Sequence, residues 1–291
     1  MRRLWRATAR RILHRGALAL LLLVLLLPAV GLRAPATTAA QASGVTIAAE
    51  ANFGGNHQAD AWVPITVQLA NAGPDVTGDV IAEAVVAGPQ GNARYSQRVE
   101  LPTRSRKALT LYALVPAFPT ALDVSFTSGR DTVAAPRVQL RPLKPGQRLI
   151  GVLGDDEQAG GALARALLGA YGGGVEAIAA DPGEMPDNPY GLGSFSSLVL
   201  RDAATDRWSP DQRQALAGWV ARGGRLVVVG GPAWRRTGEG LGELPPVRFA
   251  DSRAADGLSA LSSALGLAGA PAGGFVLATG DVLQGATRLA E

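Results

Sequence analysis

The sequence predicts a mixed fold, in which an all-β sandwich is followed by an α/β domain with a doubly wound parallel sheet. Aliphatic residues occupy every second position from Ala61 to Leu69, a period of two that is typical of a strand with one buried face. The pattern changes after Lys144-Pro145-Gly146, where the apolar residues from Leu163 to Tyr171 follow the spacing of an amphipathic helix. From there on strands and helices alternate, which indicates a parallel sheet with helices on both faces.

The charge of the chain is unevenly distributed. The 291 residues have a formal net charge of +4, but residues 1 to 42 contain seven arginines and no acidic residue. Residues 43 to 291 therefore carry 21 basic and 24 acidic side chains. Because nucleic-acid binding requires a basic patch, this mildly acidic composition argues against a nucleic-acid partner.

The first 42 residues have the organisation of an export signal. A basic segment to Arg15 is followed by the uncharged segment Gly16 to Val30, and then by Ala40-Gln41-Ala42, which fits the A-x-A cleavage pattern. The apolar segment has 15 residues, fewer than the roughly 20 that span a bilayer. We interpret residues 1 to 42 as a signal peptide, or alternatively as an uncleaved anchor that associates with the membrane. Both interpretations predict an exported, extracytoplasmic protein, secreted or membrane-anchored.

Residues 43 to 143 are predicted to form the sandwich, with about seven short strands separated by turns. Pro64 is expected at a strand edge or bulge, because it has no N–H to donate. Trp62 is expected in the core, and His57 in a solvated loop. The segment WVPITVQLANAGPDVTGDV, which starts at Trp62, resembles the Ig-like domains of bacterial envelope proteins, and this resemblance implies an Ig-like fold.

Residues 147 to 291 are predicted to form the α/β domain. A helix is expected to begin after Ser209, because Ser209, Pro210 and Gln212 form the pattern of an N-cap, a first-turn proline and a capping box. The segment Phe275 to Ala278 is predicted as a fifth strand of the sheet. The last residues resemble the beginning of a further strand, which predicts a sheet that is incomplete at its C-terminal end. A truncated gene product is one interpretation of this pattern.

Two segments of this part carry a more specific resemblance. SLVLRD, from Ser197, and SPDQRQALAGWVARGGRLVVVGGP, from Ser209, resemble the core of class I glutamine amidotransferase-like domains. The arrangement as a whole is similar to exported bacterial proteins that pair an Ig-like domain with such a flavodoxin-like module. Catalytic members of that superfamily carry a nucleophilic Cys, with His and Glu later in the chain. The present chain has no Cys and no His after His57, so the resemblance implies the fold without the amidotransferase reaction.

Candidate ligand-binding residues follow the predicted strands at their carboxyl ends, where ligands bind in open α/β sheets. They are Asp155, Asp156, Asp202, Gly230 and Gly231. The acids could hold Mg²⁺ or Ca²⁺, or they could interact with the positive end of the following helix. The glycines could bring N–H groups close to an anion, or could simply form a tight turn. No catalytic residue and no cofactor is predicted, and a metal site is left open.

These observations favour a non-catalytic protein of the cell envelope with a binding or scaffolding role and a protein or glycan partner. The absence of Cys, and the single His outside the first 42 residues, argue against thiol and Ser–His–Asp chemistry. One alternative is a carboxylate- or metal-dependent hydrolase acting on an extracytoplasmic substrate such as a carbohydrate, with Asp155, Asp156 and Asp202 as its acids. Another is a metal-dependent ligand sensor.

Overall fold

The first part of the chain consists of antiparallel strands in two larger sheets and one small parallel pair. The computed structural model describes residues 44–84, 93–116, 120–264 and 272–287, so the predicted leader lies outside the described residues. The strands of this part are β1 (Val45–Ala51), β2 (Asn56–His57), β3 (Ala61–Asn71), β4 (Val76–Ala84), β5 (Ala93–Leu101), β6 (Arg106–Val115), β7 (Ala121–Ser128), β8 (Asp131–Ala134), β9 (Val138–Gln139) and β10 (Arg141–Pro142). One sheet has the order β1-β3-β6, another has the order β5-β4-β7-β8 with β9 on β7, and β2 pairs with β10.

The alternation along β3 gives this part its core. Val63, Ile65 and Val67 are buried on one face of the strand, together with side chains of β4 and β7 such as Val80 and Phe126. Each fully buried aliphatic side chain contributes about 1.5–3 kcal/mol to folding. The two larger sheets therefore share one apolar core, and β-strands in several sheets make up most of the regular structure of the described residues.

Two predictions for β3 have different outcomes. β1 pairs with β3 only as far as Ile65, so Pro64 has a strand neighbour on one side alone, opposite Tyr112 of β6. This is the edge position expected for a residue without an N–H. The prediction that Trp62 lies in the core is wrong, because Trp62 is half-buried and its ring packs edge-on against Tyr95 at 5.5 Å.

The second part begins with four parallel strands and two long helices. These elements are β11 (Arg148–Leu153), α1 (Glu157–Tyr171), β12 (Val175–Ala180), β13 (Phe195–Arg201), α2 (Pro210–Ala221) and β14 (Arg225–Val229). The strand order is β12-β11-β13-β14, with parallel pairing throughout. The chain therefore adds β12 on one side of β11 and β13 on the other, and the order reverses between β11 and β13.

The helices cover opposite faces of this sheet. Val152 and Val175 lie in the apolar cluster that includes Ala164 of α1, whereas Leu198 lies in the cluster that includes Trp219 of α2. The predicted start of α2 is confirmed: the Ser209 hydroxyl accepts from the Gln212 N–H at 3.1 Å and the Gln212 side chain accepts from the Ser209 N–H at 2.9 Å. These bonds satisfy two of the N–H groups that the first turn of a helix leaves free.

The C-terminal elements differ from the expectation. They are α3 (Trp234–Glu239), β15 (Val247–Gly257), α4 (Ser259–Ala264) and β16 (Ala272–Val282). The predicted strand Phe275 to Ala278 exists within β16, but β16 pairs antiparallel with β15 in a separate two-stranded sheet and does not extend the parallel one. Its ladder with β15 runs along the whole strand, and a single bond, from the Ala278 N–H to the Gly230 carbonyl at 3.1 Å, reaches the end of β14. Across the described ranges, no helix has the length and apolar character needed to cross a bilayer.

Candidate functional site

A cleft of about 370 Å³ lies at the carboxyl ends of β11 and β12, beside the point where the strand order reverses. Ligands bind at this position in open parallel sheets. The acidic residues that line it are Asp155, Asp156, Glu157, Asp181 and Glu184. Of the predicted site residues, the neighbours Asp155 and Asp156 line this cleft, whereas Asp202, Gly230 and Gly231 do not. We refer to this feature as the acidic cleft.

Asp155 is held in place by two contacts from other elements. Its carboxylate forms an ion pair with Arg236 of α3, and its Oδ1 accepts from the Ala204 N–H at 3.4 Å. Gly154 allows the backbone just before Asp155 to lie close to the end of β13, since a Cβ at that position would lie 2.2 Å from the Arg201 carbonyl oxygen. The side chain of Asp155 is 28% exposed, so its charge is partly screened by solvent as well as paired.

Asp156 is the N-cap of α1. Its Oδ1 accepts a hydrogen bond from the Ala159 N–H at 3.0 Å, and Glu157 follows in the first helical turn. Acidic side chains at this end of a helix interact favourably with the helix dipole and with its free N–H groups. The interpretation of these acids as helix-stabilising residues therefore accounts for the position of Asp156.

Asp202 approaches Asp155 with its backbone, while the side chains of the two residues have different partners. The Asp155 N–H points at the Asp202 carbonyl oxygen at 3.5 Å, while the Asp202 carboxylate pairs with Arg201 at 3.5 Å. Asp202 has a φ of +52°, a left-handed conformation that Asp adopts more readily than most residues. This turn directs the two carboxylates to different arginines.

Gly230 and Gly231 follow β14 and have different surroundings. A Cβ at Gly230 would lie 2.8 Å from the Cβ of Ala278, whereas a Cβ at Gly231 would meet nothing within 4 Å. Gly230 thus allows β16 to pack against the end of β14. The Gly231 carbonyl accepts from the Trp234 N–H at 3.0 Å, which begins the turn into α3.

Sequence reasoning missed two acids of the cleft, Asp181 and Glu184. Asp181 precedes the 3-10 turn Pro182–Glu184, and Glu184 is its last residue. The two form a capping box: Asp181 Oδ1 accepts from the Gly183 N–H at 2.6 Å, and Glu184 Oε1 accepts from the Asp181 N–H at 3.3 Å. The sequence Asp-Pro-Gly-Glu contains the signal for this turn, namely an N-cap residue, a proline in the first turn and a Glu three positions after the cap.

Residues 181 to 188 also form hydrogen bonds with the antiparallel part of the chain. The Phe53 N–H donates to Glu184 Oε2, and Asn52 Nδ2 donates to the Glu184 carbonyl at 2.9 Å. The Tyr112 hydroxyl donates to the Asp187 carboxylate, and burial together with this carboxylate raises the pKa of Tyr112. The acidic cleft therefore shares a wall with the contact between the antiparallel sheets and the parallel sheet.

His57 is fully buried, and the prediction of a solvated loop residue is wrong. Its short strand β2 pairs with β10, whose residues are far away in the sequence, and this pairing encloses the side chain. Nδ1 donates to the Gly55 carbonyl at 3.0 Å, while Nε2 has no hydrogen-bond partner within the described ranges. Burial lowers the pKa of His57 below its usual 6.5, against a smaller opposing effect of the carbonyls of Gly55 and Pro116. The imidazole is therefore neutral at pH 7.

The described part of the chain contains no group of three or more His, Asp or Glu side chains arranged to hold a metal ion. Asp155 and Asp156 use carboxylate oxygens for Arg236 and for the helix end, respectively. Asp155 and Asp156 thus bind groups of the protein itself.

Comparisons with known proteins give a family match for the first part of the chain. Residues 44–141 match the profile of a family described as a domain of unknown function, DUF8726. No curated protein matches the chain.

Three solved structures are similar to parts of the chain at low identity. The sporulation control protein Spo0M from Bacillus subtilis is 7% identical, over 35% of this chain and 50% of that one, with a TM-score of 0.25. A beta-glucosidase from Listeria innocua in complex with glucose is 12% identical, over 33% and 16%, with a TM-score of 0.25. A cycloisomaltooligosaccharide glucanotransferase from Paenibacillus sp. is 14% identical, over 62% and 28%, with a TM-score of 0.26. The chain spans half or less of each of these proteins, and TM-scores this low carry no argument about fold or function.

Proposed function

We propose that the chain is a non-catalytic exported protein of the cell envelope with a binding or scaffolding role. The observation that carries this proposal is the use of the carboxylates at the acidic cleft for contacts within the protein. Asp155 pairs with Arg236, Asp156 caps a helix, and Glu184 binds the backbone of Phe53. These contacts join the strand ends, the helices and the antiparallel sheets.

A catalytic role for these acids would require different surroundings. A nucleophile or general base must reach its substrate with a free oxygen, and a general acid must hold a proton near the working pH. The Arg236 guanidinium in contact with Asp155 occupies one of its oxygens, which leaves less of the carboxylate free for a substrate. No contact in the acidic cleft specifically favours the hydrolase alternative.

The proposal includes the finer fold assignment, an Ig-like sandwich followed by a glutamine amidotransferase-like α/β module without its nucleophile. Support comes from two antiparallel sheets around one core and from the strand order β12-β11-β13-β14, which has the flavodoxin-like form. At the turn after β14, Gly230 contacts Ala278, and the sequence contains no Cys that could serve as the nucleophile.

Export is tested with alkaline phosphatase fused to the C-terminus of the full chain, because this enzyme is active only outside the cytoplasm. We expect an active fusion, and an inactive one when residues 1 to 42 are deleted. Equal activity of the two fusions, or none in either, would overturn the assignment of the leader.

Catalysis is tested with the full chain in neutral detergent, assayed against glutamine and chromogenic amides, esters and glycosides. We expect no turnover above that of the Asp155→Asn variant. Turnover that Asp155→Asn abolishes would overturn the non-catalytic assignment and favour the carboxylate hydrolase.

A further inference from the structure

A second cleft, of about 390 Å³, lies at the opposite edge of the parallel sheet, where the strands begin. Arg148 is the first residue of β11, Arg225 is the first residue of β14, and Arg222 follows the last turn of α2. All three line this cleft, which we call the basal cleft. The buried rings of Phe195 and Trp219 also line it, and no acidic residue does.

None of the three arginines forms an ion pair with another described residue. The arginines that do are Arg98, Arg137, Arg201, Arg236 and Arg248, and most of the others are unpaired as well. Arg148, Arg222 and Arg225 differ from those other unpaired arginines because they line one recess together, and no acidic side chain lines it with them. The carbonyl end of α2 favours a cation at Arg222 but does not account for Arg148 or Arg225, which lie on strands. Residues 43 to 291 contain more acidic than basic side chains. Three arginines without an acidic partner in one recess therefore indicate a site for an anion.

The turn between α2 and β14 is built to bring two of these arginines together. Gly223 has a φ of +97°, which side chains rarely tolerate, and a Cβ at Gly224 would lie 2.3 Å from the ring of Trp219. The two glycines allow the chain to reverse tightly over Trp219, so that Arg222 and Arg225 line the same cleft.

Tyr190 adds an exposed aromatic ring to the rim. It is 58% exposed, and the Arg222 guanidinium lies over its ring at 4.9 Å from the centroid. A tyrosine offers an apolar face with a polar tip, so it can pack against a ligand that combines apolar and polar groups. Guanidinium groups bind phosphate and carboxylate oxygens in a bidentate manner.

We propose that the basal cleft binds an anionic sugar, with the arginines on its phosphate or carboxylate group and the Tyr190 ring against the sugar ring. A recess of about 390 Å³ can take one small group, whereas a bilayer presents a flat surface. This proposal goes beyond the envelope role, because it requires neither export nor the absence of catalysis, and a binding assay can fail independently of both.

The test is calorimetric titration of the full chain in neutral detergent with glucose 6-phosphate, glucuronate, inorganic phosphate and glucose. We expect the two anionic sugars to bind, inorganic phosphate to bind more weakly and glucose to give no heat. The triple variant Arg148→Gln, Arg222→Gln, Arg225→Gln should lose at least about tenfold in affinity for both anionic sugars. Tyr190→Ala should weaken binding of the sugars and leave inorganic phosphate unchanged.

A matched control removes the same charge elsewhere, in the variant Arg98→Gln, Arg130→Gln, Arg137→Gln. It should bind like the wild type, and both triple variants should give the wild-type circular dichroism spectrum. The proposal is overturned if neither anionic sugar binds, or if the control loses as much affinity as the cleft variant. Binding that is confined to phosphatidylglycerol vesicles, with none to the soluble anionic sugars, would also overturn it, in favour of a membrane surface.

Discussion

The carboxylate of Glu184 accepts a hydrogen bond from the backbone N–H of Phe53, a residue 131 positions earlier in the chain. Phe53 has a φ of +58°, in the left-handed region that bulky residues rarely occupy, and its ring packs edge-on against Phe195 at 4.8 Å. Such a conformation costs on the order of 1 kcal/mol or more and persists where neighbouring contacts fix it. Glu184 and Phe195 supply those contacts, and the strained turn joins the antiparallel sheets to the parallel sheet.

Replacing Glu184 with Ala is expected to lower the free energy of unfolding by about 1–3 kcal/mol, because the Phe53 N–H loses its acceptor while its conformation remains strained. Urea unfolding followed by circular dichroism measures this change. The control is Glu100→Ala on the exposed face of β5, which should change the free energy by no more than about 0.5 kcal/mol. Equal effects of the two variants would show that Glu184 does not hold this turn.

The ion pair between Asp155 and Arg236 is expected to couple α3 to the end of β11. In a double-mutant cycle with Asp155→Asn and Arg236→Gln, we expect a coupling free energy of about 1 kcal/mol, since both side chains are partly exposed. The matched pair is Arg137 with Asp123, whose side chains are 64% and 47% exposed. Its coupling should be smaller, and a larger value there would contradict the role assigned to Asp155.

Local signals in the sequence predicted much of this architecture. The capping box at Ser209 and Gln212 depends on residues three apart, and it fixed the start of α2 correctly. The period of two that identified β3 also depends only on residues close together in the sequence. The burial of His57 depends on pairing between β2 and β10, and the partner of β16 depends on a choice between β14 and β15. Periodicity carries no information about such distant pairings.

The acidic cleft was predictable in part. Asp155 follows a buried strand directly, and the carboxyl end of that strand places it at the cleft. The pattern Asp-Pro-Gly-Glu at Asp181 predicts a capped turn. The contact between Glu184 and Phe53 forms only in the folded chain, so this pattern does not predict it. The partner Arg236 likewise comes from a helix that begins after the last parallel strand.

The buried His57 is expected to make stability dependent on pH. Because burial lowers its pKa below the unfolded value of about 6.5, the unfolded chain binds more protons than the folded one at mildly acidic pH. The contribution of the neutral imidazole to stability is therefore fully present above about pH 6.5. It decreases as the pH falls below that value and towards the lowered pKa of the folded state.

Urea unfolding between pH 7.5 and 5.5 tests this expectation. The wild type should lose stability steadily below about pH 6.5, and His57→Gln, which keeps a hydrogen-bond donor without a titrating ring, should show a shallower slope. If His57→Gln keeps the wild-type slope, carboxylates rather than His57 cause the dependence.

Gly230 and Gly231, at the turn after β14, are expected to differ in how much a substitution by Ala destabilises the protein. Gly230→Ala is expected to lower the free energy of unfolding by about 1–3 kcal/mol, since the new Cβ would lie only 2.8 Å from the Cβ of Ala278. Gly231→Ala has open space around it and should cost less than about 1 kcal/mol. Ala278→Gly in the Gly230→Ala background removes the clash and should restore at least half of the loss in thermal or urea unfolding. If it restores nothing, contact with β16 is not what Gly230 provides.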